Sequence, residues 1–479
     1  MRIDIFPPHF GHVPHPEHCA GGTTTVGVYS MSHSAFRTLA LALGSLFLLS
    51  PAAIADSNIT LDARLAQPVM KEGTPQKNYL RVSLAGCRPE PNESRTPVNV
   101  AFVIDRSGSM AGDSIAQARE AAIMAIGRLG PEDIASVVVF DTRADVLIPA
   151  RKVTDPEYFI DRIRRIGIAG STAIADGVLA GRGEVLTYME PRRLNRIVLL
   201  SDGQANVGPR RVEDFILLGK GLLHERISVS TIGLGLGYNE DLMLQLALAS
   251  DGNHAFARDP SDLITIFNRE FNDVLASCAQ TVSIDIDLKP GVRAVKAVSR
   301  DGTIADNKAQ FRMNQVYAAT EHYVLLEVEF DKAAAAGAEQ DFGLVKVAYT
   351  DARSGATQTL DTSIRARFSA SEEEVRANRD SKVGEVVLEQ VARARAREAV
   401  MLRDQGQHEQ ARQLLLQNAT EINAFSSITP GVTRDLMDLG KQYEALSAAP
   451  PNAAPGLLST QRKTLRELDA NRAGSGRRY

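Results

Sequence analysis

Three short polar segments of the chain contain oxygen-bearing side chains at spacings that suit a metal ion. The first segment, DRSGSM, places Asp105, Ser107 and Ser109 at alternate positions, so one carboxylate and two hydroxyls can converge on one point. Thr172 lies in a second segment, GIAGSTAIADG, and Asp202 lies in a third, LLSDGQANVG. Carboxylate and hydroxyl oxygens are hard ligands that suit Mg²⁺, Mn²⁺ or Ca²⁺. These residues predict a divalent-cation site, provided that the fold brings the three segments together.

The elements around these segments predict how they meet. From Val98 to Ala276, short apolar runs such as VNVAFVI, IASVVVF and RIVLLS alternate with amphipathic stretches of helical period. Strands that alternate with such helices require crossover connections, which give a mostly parallel sheet covered on both faces. We predict a doubly wound, Rossmann-like α/β domain over residues 97–277, with ADVLIPA as an edge strand. The three polar segments should open at the carboxyl ends of its strands, where such sheets bind ligands.

With this order of strands and these polar positions, the segment resembles the von Willebrand factor type A (VWA) family and its metal-ion-dependent adhesion site. The family's DxSxS motif matches Asp105, Ser107 and Ser109, its threonine matches Thr172 and its aspartate matches Asp202. The resemblance implies a binding module and not an enzyme. In such a module, a bound Mg²⁺, or else Mn²⁺ or Ca²⁺, accepts an exposed Asp or Glu side chain of a partner protein. The whole chain is also similar to exported bacterial VWA proteins labelled calcium-activated chloride channel homologues.

The segments on either side of this domain have other periodicities. Residues 56–96 contain two strand patterns, and residues 278–370 contain several more. Because two strands alone do not form a stable sheet, we predict that they pair with the later ones, which makes the α/β domain an insertion in a β-sandwich domain. Helical periodicity follows over residues 371–448. The Pro/Ala-rich and then basic segment 449–479 predicts a disordered tail.

The amino-terminal region has the pattern of an export signal. Residues 31–55 combine a weakly charged start, an apolar stretch and the small-residue site AIA, which predicts cleavage before Asp56. Residues 1–30 would then be an over-extended leader. No later run is long and apolar enough to span a membrane, so we expect a periplasmic or secreted protein without a membrane span after cleavage. The leader contains a tract that resembles a metal-binding cluster, although such segments often mislead: His9, His12, His15, His18 and Cys19.

Composition and cysteine content narrow the possibilities. The 479 residues include 54 Lys and Arg against 58 Asp and Glu, a net charge of −4, which argues against nucleic acid as a partner. After the signal, two cysteines remain, Cys87 and Cys278, and they flank the α/β domain. If the ends of that domain lie together, as domain termini often do, the two could form a disulfide in an oxidising compartment. Two unpaired buried thiols are the alternative.

Two other functions compete with the binding module. An envelope assembly factor could dock onto a larger complex through its helical region. A metal-dependent hydrolase would need a base beside metal-bound water, but the sequence has no HExxH zinc motif, and His224 and His254 lack metal-ligand spacing. The five site residues could also be helix caps and turn residues that hold no metal.

Overall fold

Three strands precede the α/β domain. The structure is a computed structural model that describes residues 59–88, 96–190, 193–259, 261–331, 337, 339–448 and 455–471. The first strands are β1 (Thr60–Leu65), β2 (Val69–Lys71) and β3 (Gln76–Ala85). Two of them match the predicted patterns. The sequence pattern does not predict β2, because three residues are too few to show a period of two.

The central sheet has six strands, and five of them are parallel. Its strands are β4 (Val98–Asp105), β5 (Ile134–Phe140), β6 (Ala144–Lys152), β7 (Leu194–Ser201), β8 (Ile227–Leu234) and β9 (His254–Ala257). Their spatial order is β6-β5-β4-β7-β8-β9, and β6 pairs antiparallel with β5 at the edge. Every residue of β4, β5, β7 and β8 is buried, as expected for strands covered on both faces. The predicted doubly wound α/β fold is confirmed.

Six helices cover the two faces of this sheet. They are α1 (Asp113–Ile126), α2 (Pro156–Ile163), α3 (Ile174–Leu186), α4 (Val212–His224), α5 (Glu240–Ala249) and α6 (Asp262–Leu275). Alternate residues of β4 point to opposite faces: Phe102 packs with α1, α2 and α6, whereas Val103 packs with α3, α4 and α5. The sheet is therefore fixed between two separate apolar cores, and the strand ends that carry the polar segments are held in register.

A β-sandwich follows and takes in the strands that precede the α/β domain. Its later strands are β10 (Ser277–Leu288), β11 (Val292–Ala297), β12 (Thr303–Ala305), β13 (Lys308–Tyr317), β14 (Glu321–Phe330), β15 (Gln340–Asp351) and β16 (Thr357–Ser369). The two sheets have the orders β1-β3-β14-β11 and β12-β13-β10-β15-β16-β2. Strand β3 pairs antiparallel with β14 along its whole length. The prediction that the α/β domain is inserted in a β-sandwich is therefore confirmed.

A disulfide closes the inserted segment at its base. Cys87 lies just after β3 and Cys278 lies in β10, and their sulfur atoms are bonded across 191 residues of sequence. The two Cα atoms are 5.8 Å apart, within the usual range for a disulfide. Of the two alternatives left open by the sequence, the bonded pair is the one observed.

Helices complete the chain. They are α7 (Glu372–Ala377), α8 (Ser381–Asp404), α9 (His408–Ile428), α10 (Arg434–Ser447) and α11 (Pro455–Asn471). Helices α8, α9 and α10 share an apolar core that includes Ala396, Leu415 and Leu439. The helical carboxyl-terminal region is thus confirmed.

The prediction of a disordered tail over 449–479 is wrong for residues 455–471, which form α11. Lys463 is almost fully buried: its Nζ donates to Glu240 Oε2 at 2.5 Å and to the Tyr238 carbonyl at 2.9 Å. Arg462 pairs with Asp241 at 2.7 Å and with Asp404 at 3.0 Å. Composition alone indicated a solvated basic segment, because its acidic partners lie far away in the sequence and only tertiary contacts bring them close.

The remaining expectations about the ends of the chain fall mostly outside the described residues. The leader, its His-rich cluster and the signal segment lie there, as do residues 449–454 and 472–479. Within the described ranges, no helix has the length and apolar content needed to cross a membrane.

Candidate metal centre

Asp105 is the deepest residue of the candidate site. It is the last residue of β4 and is fully buried. Its Oδ1 accepts a hydrogen bond from the Ser107 amide at 2.8 Å, and its Oδ2 accepts one from the Ser201 hydroxyl at 2.5 Å. The side chain is therefore held in one orientation by the loop that follows β4 and by the end of β7.

Two serine hydroxyls connect this loop to the one that follows β7. The Ser107 and Ser109 Oγ atoms are 3.2 Å apart, as expected for alternate positions that converge on one side of the loop. Ser109 Oγ donates to Asp202 Oδ1 at 2.7 Å. Asp202 directly follows β7, so the first and third polar segments meet at the carboxyl ends of neighbouring strands.

Thr172, in the second polar segment, lies beside the other two segments. Its hydroxyl borders Gly203: a Cβ atom on Gly203 would lie 3.1 Å from Thr172 Oγ1 and 3.5 Å from Ser109 Oγ. The Thr172 amide donates to Asn206 Oδ1 at 2.8 Å, and the Asn206 amide donates back to the Thr172 carbonyl at 3.1 Å. All five predicted residues therefore lie together at one edge of the sheet.

Arg106, Asp141 and Gly170 support the loops that carry the five predicted residues. The sequence pattern alone did not indicate this role. Arg106 Nε donates to Asp141 Oδ2 at 2.7 Å, and the Asp141 carbonyl accepts from the Ala173 amide at 2.8 Å, next to Thr172. The Gly170 carbonyl accepts from the Gly108 amide at 3.2 Å. Gly170 has φ +58°, and a side chain there would meet Thr142 Oγ1 at 2.6 Å, so only glycine fits. The position of Asp141 just after β5 was the available signal in the sequence.

The electrostatics of the site favour a cation. Burial raises the pKa of Asp105 to about 6, although hydrogen bonds from Ser201 and Ser107 oppose the shift. Burial also raises the pKa of Asp202. Burial has the same effect on Asp141, but Arg106 outweighs it and keeps the pKa of that carboxyl below its ordinary value. The supporting carboxylate, Asp141, thus has its own cation, Arg106. Asp105 and Asp202 are desolvated, and no positive side chain among the described residues is hydrogen-bonded to either.

This donor set suits a hard divalent ion. It consists of two carboxylates and three neutral hydroxyls, and oxygen ligands of this kind bind Mg²⁺, Mn²⁺ and Ca²⁺. Within the described part of the chain, no cluster of three or more His, Cys, Asp and Glu side chains could hold a metal. Ser109 is exposed and Asp202 is partly exposed, whereas Asp105, Ser107 and Thr172 are buried. An ion bound among them would therefore face solvent on one side.

Comparison with known sequences agrees with this geometry. The family model of the von Willebrand factor type A domain matches residues 99–269, a segment that begins in β4 and ends in α6. The central domain is a von Willebrand factor type A domain. Its three site loops lie at the carboxyl ends of β4, β5 and β7 of this VWA domain.

Solved structures extend the likeness of fold beyond the VWA domain. A von Willebrand factor type A protein from Catenulispora acidiphila superposes with a TM-score of 0.70 at 16% identity, over 88% of this chain and 97% of that one. The ArnB paralog VWA2 from Sulfolobus acidocaldarius superposes with a TM-score of 0.59 at 16% identity, over 87% of this chain and 98% of that one. At such identities the comparison establishes the fold alone.

Two relatives found by sequence differ in how much of this chain they match. The uncharacterized protein sll0103 of Synechocystis sp. is 27% identical over 63% of this chain and 73% of its own length. The inter-alpha-trypsin inhibitor heavy chain H3 of Rattus norvegicus is 33% identical, but the match spans 34% of this chain and only 19% of the heavy chain. The second likeness therefore concerns little more than the VWA domain.

His254, one of the two histidines that a hydrolase could have used as its base, is part of the core. His254 is buried, with Nδ1 2.9 Å from Thr231 Oγ1 and Nε2 3.2 Å from Tyr238 Oη. Burial lowers its pKa to about 3. His322, in β14, is also buried, and burial lowers its pKa to about 4. Both side chains are neutral near pH 7 in the folded protein.

Acidification should therefore destabilise the protein. The unfolded state takes up protons at these histidines below about pH 6.5 while the folded state does not, so the free energy of unfolding falls as the pH decreases through that value. Each histidine should lower the free energy of unfolding by about 2 kcal/mol at pH 5 relative to pH 7. Urea unfolding at both pH values measures this loss. His322→Gln should lose about 2 kcal/mol less than the wild type over that interval, and an equal loss in the two proteins would contradict the assignment.

Proposed function

We infer that the VWA domain binds Mg²⁺, or alternatively Mn²⁺ or Ca²⁺, through Asp105, Ser107, Ser109, Thr172 and Asp202. The observation that carries this inference is the 2.7 Å hydrogen bond from Ser109 to Asp202, because it joins two loops that are 93 residues apart in sequence. Thr172 Oγ1 borders the same Gly203 as Ser109 Oγ. Helix capping, the alternative reading of these residues, does not explain why three loops meet.

The ion would serve to bind a partner protein through an acidic side chain. Mg²⁺ prefers octahedral coordination, and five protein side chains, with one or both carboxylates acting through water, leave a position that an outside oxygen can take. A bound cation is the largest local charge in such a site, and an exposed Asp or Glu of the partner is the natural ligand for that position. The exposed side of the site, at Ser109, is where the partner would arrive. In this role the protein is a binding module and not an enzyme.

Two observations bear on the competing functions. A hydrolase would need a base at the metal, but His254 is hydrogen-bonded to Thr231 and Tyr238 within the core. An envelope assembly factor would dock through its helical region, and there α11 already packs on α5 and β9 of the VWA domain. The similarity to chloride channel homologues remains a prediction from the sequence, and ion conduction is not part of the proposal.

Export to the periplasm or beyond the cell is part of the same proposal. The Cys87–Cys278 disulfide supports it, since disulfides form and persist in oxidising compartments. We propose cleavage of the signal Met31–Ala55 during export.

Metal titration followed by partner capture tests the function. Isothermal titration of the metal-free protein with Mg²⁺ and with Mn²⁺ should show one site per chain. Envelope and culture-medium proteins captured with Mg²⁺ should be released by EDTA, and a synthetic peptide from the captured partner should lose binding when its Asp or Glu becomes Asn or Gln. The proposal fails if capture is unchanged in excess EDTA or if the titrations show no binding.

A further inference from the structure

A cavity of about 570 Å³ lies where the VWA domain, the β-sandwich and the helical region meet. Its VWA wall includes Lys220 near the end of α4 and the segment 251–253 just before β9. Those elements lie at the amino-terminal edge of the central sheet, since α4 leads into β8 and the segment leads into β9. The cavity and the metal centre are therefore at opposite edges of the sheet. Its volume is in the range of small-molecule sites.

Positive charge exceeds negative charge in the lining of this cavity. Six cationic side chains line it: Lys220, Lys296, Arg300, Arg312, Arg393 and Arg397. Three carboxylates face them: Asp251, Asp301 and Asp469. The difference, six minus three, is three positive charges. His322 also lines the cavity but is neutral at pH 7, because burial lowers its pKa to about 4.

The ion pairs in the lining do not remove this excess. Asp469 Oδ1 accepts from both Arg393 at 2.8 Å and Arg397 at 2.9 Å, so one carboxylate serves two guanidinium groups. Lys220 pairs with Asp301 at 3.2 Å, but Asp301 is 91% exposed and such a pair contributes little. Arg300 pairs with Asp251 at 3.1 Å. Among the described residues, Lys296 and Arg312 have no ion-pair partner, whereas Arg293 and Lys308 on the same two strands do.

A buried arginine adds to the positive potential behind one wall. Arg196, in β7, is fully buried, and its Nη2 donates to Gln315 Oε1 at 2.8 Å and to the Tyr317 hydroxyl. Gln315 and Tyr317 both line the cavity. Within the part of the chain that the structure describes, Arg196 has no carboxylate partner, and its Nε makes no hydrogen bond. A buried cation without a counter-ion is costly, and an anion nearby would offset part of that cost.

We propose that this cavity binds a small organic anion with two or more negative charges, of the phosphate-ester or polycarboxylate class. Lys296 and Arg312 would contact it from the β-sandwich. Arg300 lies deeper: its Nη1 donates to Asp251, while its Nε is buried without a hydrogen bond and is open to the anion. Because the lining comes from three parts of the chain, a bound anion would hold these parts together and raise the melting temperature. The proposal does not depend on the metal centre.

Calorimetric titration of the full chain tests it, after metal has been removed with a chelating resin and in a buffer without soluble chelator, with pyrophosphate and citrate as separate probes. One of them should bind, and the better probe shows whether phosphate or carboxylate is the preferred group. The double variant Lys296→Gln/Arg312→Gln should raise the Kd at least about tenfold, because each residue can supply a charge-assisted hydrogen bond. It should fold normally, since neither side chain has an ion-pair partner to lose.

The matched control is Arg293→Gln/Lys308→Gln. These residues lie on the same two strands, β11 and β13, and the charge change is identical, but neither lines the cavity. The Kd of this variant should stay within about twofold of the wild type, since distant exposed charges are screened. Failure of both probes to bind, or equal weakening in the two double variants, overturns the proposal. Neither outcome bears on Mg²⁺ binding at Asp105.

Discussion

Replacing Asp105 by asparagine is expected to abolish Mg²⁺ binding while leaving the metal-free protein at least as stable as the wild type. The amide oxygen can still accept from the Ser107 amide, and the amide group can donate to the Ser201 hydroxyl in place of accepting from it. The substitution therefore retains the shape of the loop and removes one negative charge. Outer-shell changes already weaken metal sites by 10–100-fold, so loss of one of the two carboxylate charges of the site should raise the Kd for Mg²⁺ more than about 100-fold.

The Asp105→Asn substitution should raise the stability of the metal-free protein although it weakens Mg²⁺ binding. Burial of Asp105 raises its pKa to about 6, so its ionised form is disfavoured in the metal-free folded protein at pH 7. Compared with an aspartate of ordinary pKa, the buried charge of Asp105 lowers the free energy of unfolding at pH 7 by on the order of 3 kcal/mol. Asparagine carries no charge and should recover part of that loss. The buried charge of Asp105 lowers the stability of the metal-free protein but is needed to bind the ion, and functional residues commonly reduce stability in this way.

Melting curves and titrations with and without Mg²⁺ separate the two effects. Mg²⁺ should raise the melting temperature of the wild type and not that of Asp105→Asn. The matched control is Asp113→Asn, an exposed carboxylate in the first turn of α1, and it should bind Mg²⁺ as the wild type does. A Kd for Asp105→Asn within about tenfold of the wild type would mean that Asp105 binds the ion neither directly nor through water, since even outer-shell changes cost at least about tenfold.

Replacement of both disulfide cysteines by serine should lower the free energy of unfolding by about 5 kcal/mol, the chain-entropy value for closing a loop of 191 residues. The chain between the two cysteines contains the whole VWA domain. Without the disulfide, the strands before this domain must pair with the strands after it with no covalent link near the junction. The pairing of β3 with β14 and of β2 with β16 would then have to close the junction.

Urea unfolding of Cys87→Ser/Cys278→Ser, with Cys19→Ser in both proteins to prevent exchange, measures the loss. Wild-type protein with the same Cys19 change should lose a similar amount in strong reductant, which separates the effect of the bond from that of the serine side chains. A loss below about 1 kcal/mol would show that the unfolded chain is already compact at this junction.

Much of the architecture follows from local patterns. Buried strands such as β4 are mostly apolar, and the segments between them have helical period, so the alternation alone predicts a doubly wound sheet. Parallel strands expose their carboxyl ends at one edge, and for this reason Asp105, Thr172 and Asp202 could be expected to meet. The insertion in a β-sandwich followed from the inability of two strands to stand alone.

Other features depend on contacts between segments that no local pattern relates. Arg106 supports Asp141 across 35 residues, and Lys463 is buried on Glu240 across 223. A basic residue in a polar segment has the same local pattern whether it is solvated or paired, so composition indicated disorder where α11 forms. Periodicity determines which face of an element is apolar. It does not determine which distant side chain lies opposite a charge, and that is decided only when the separate elements have packed.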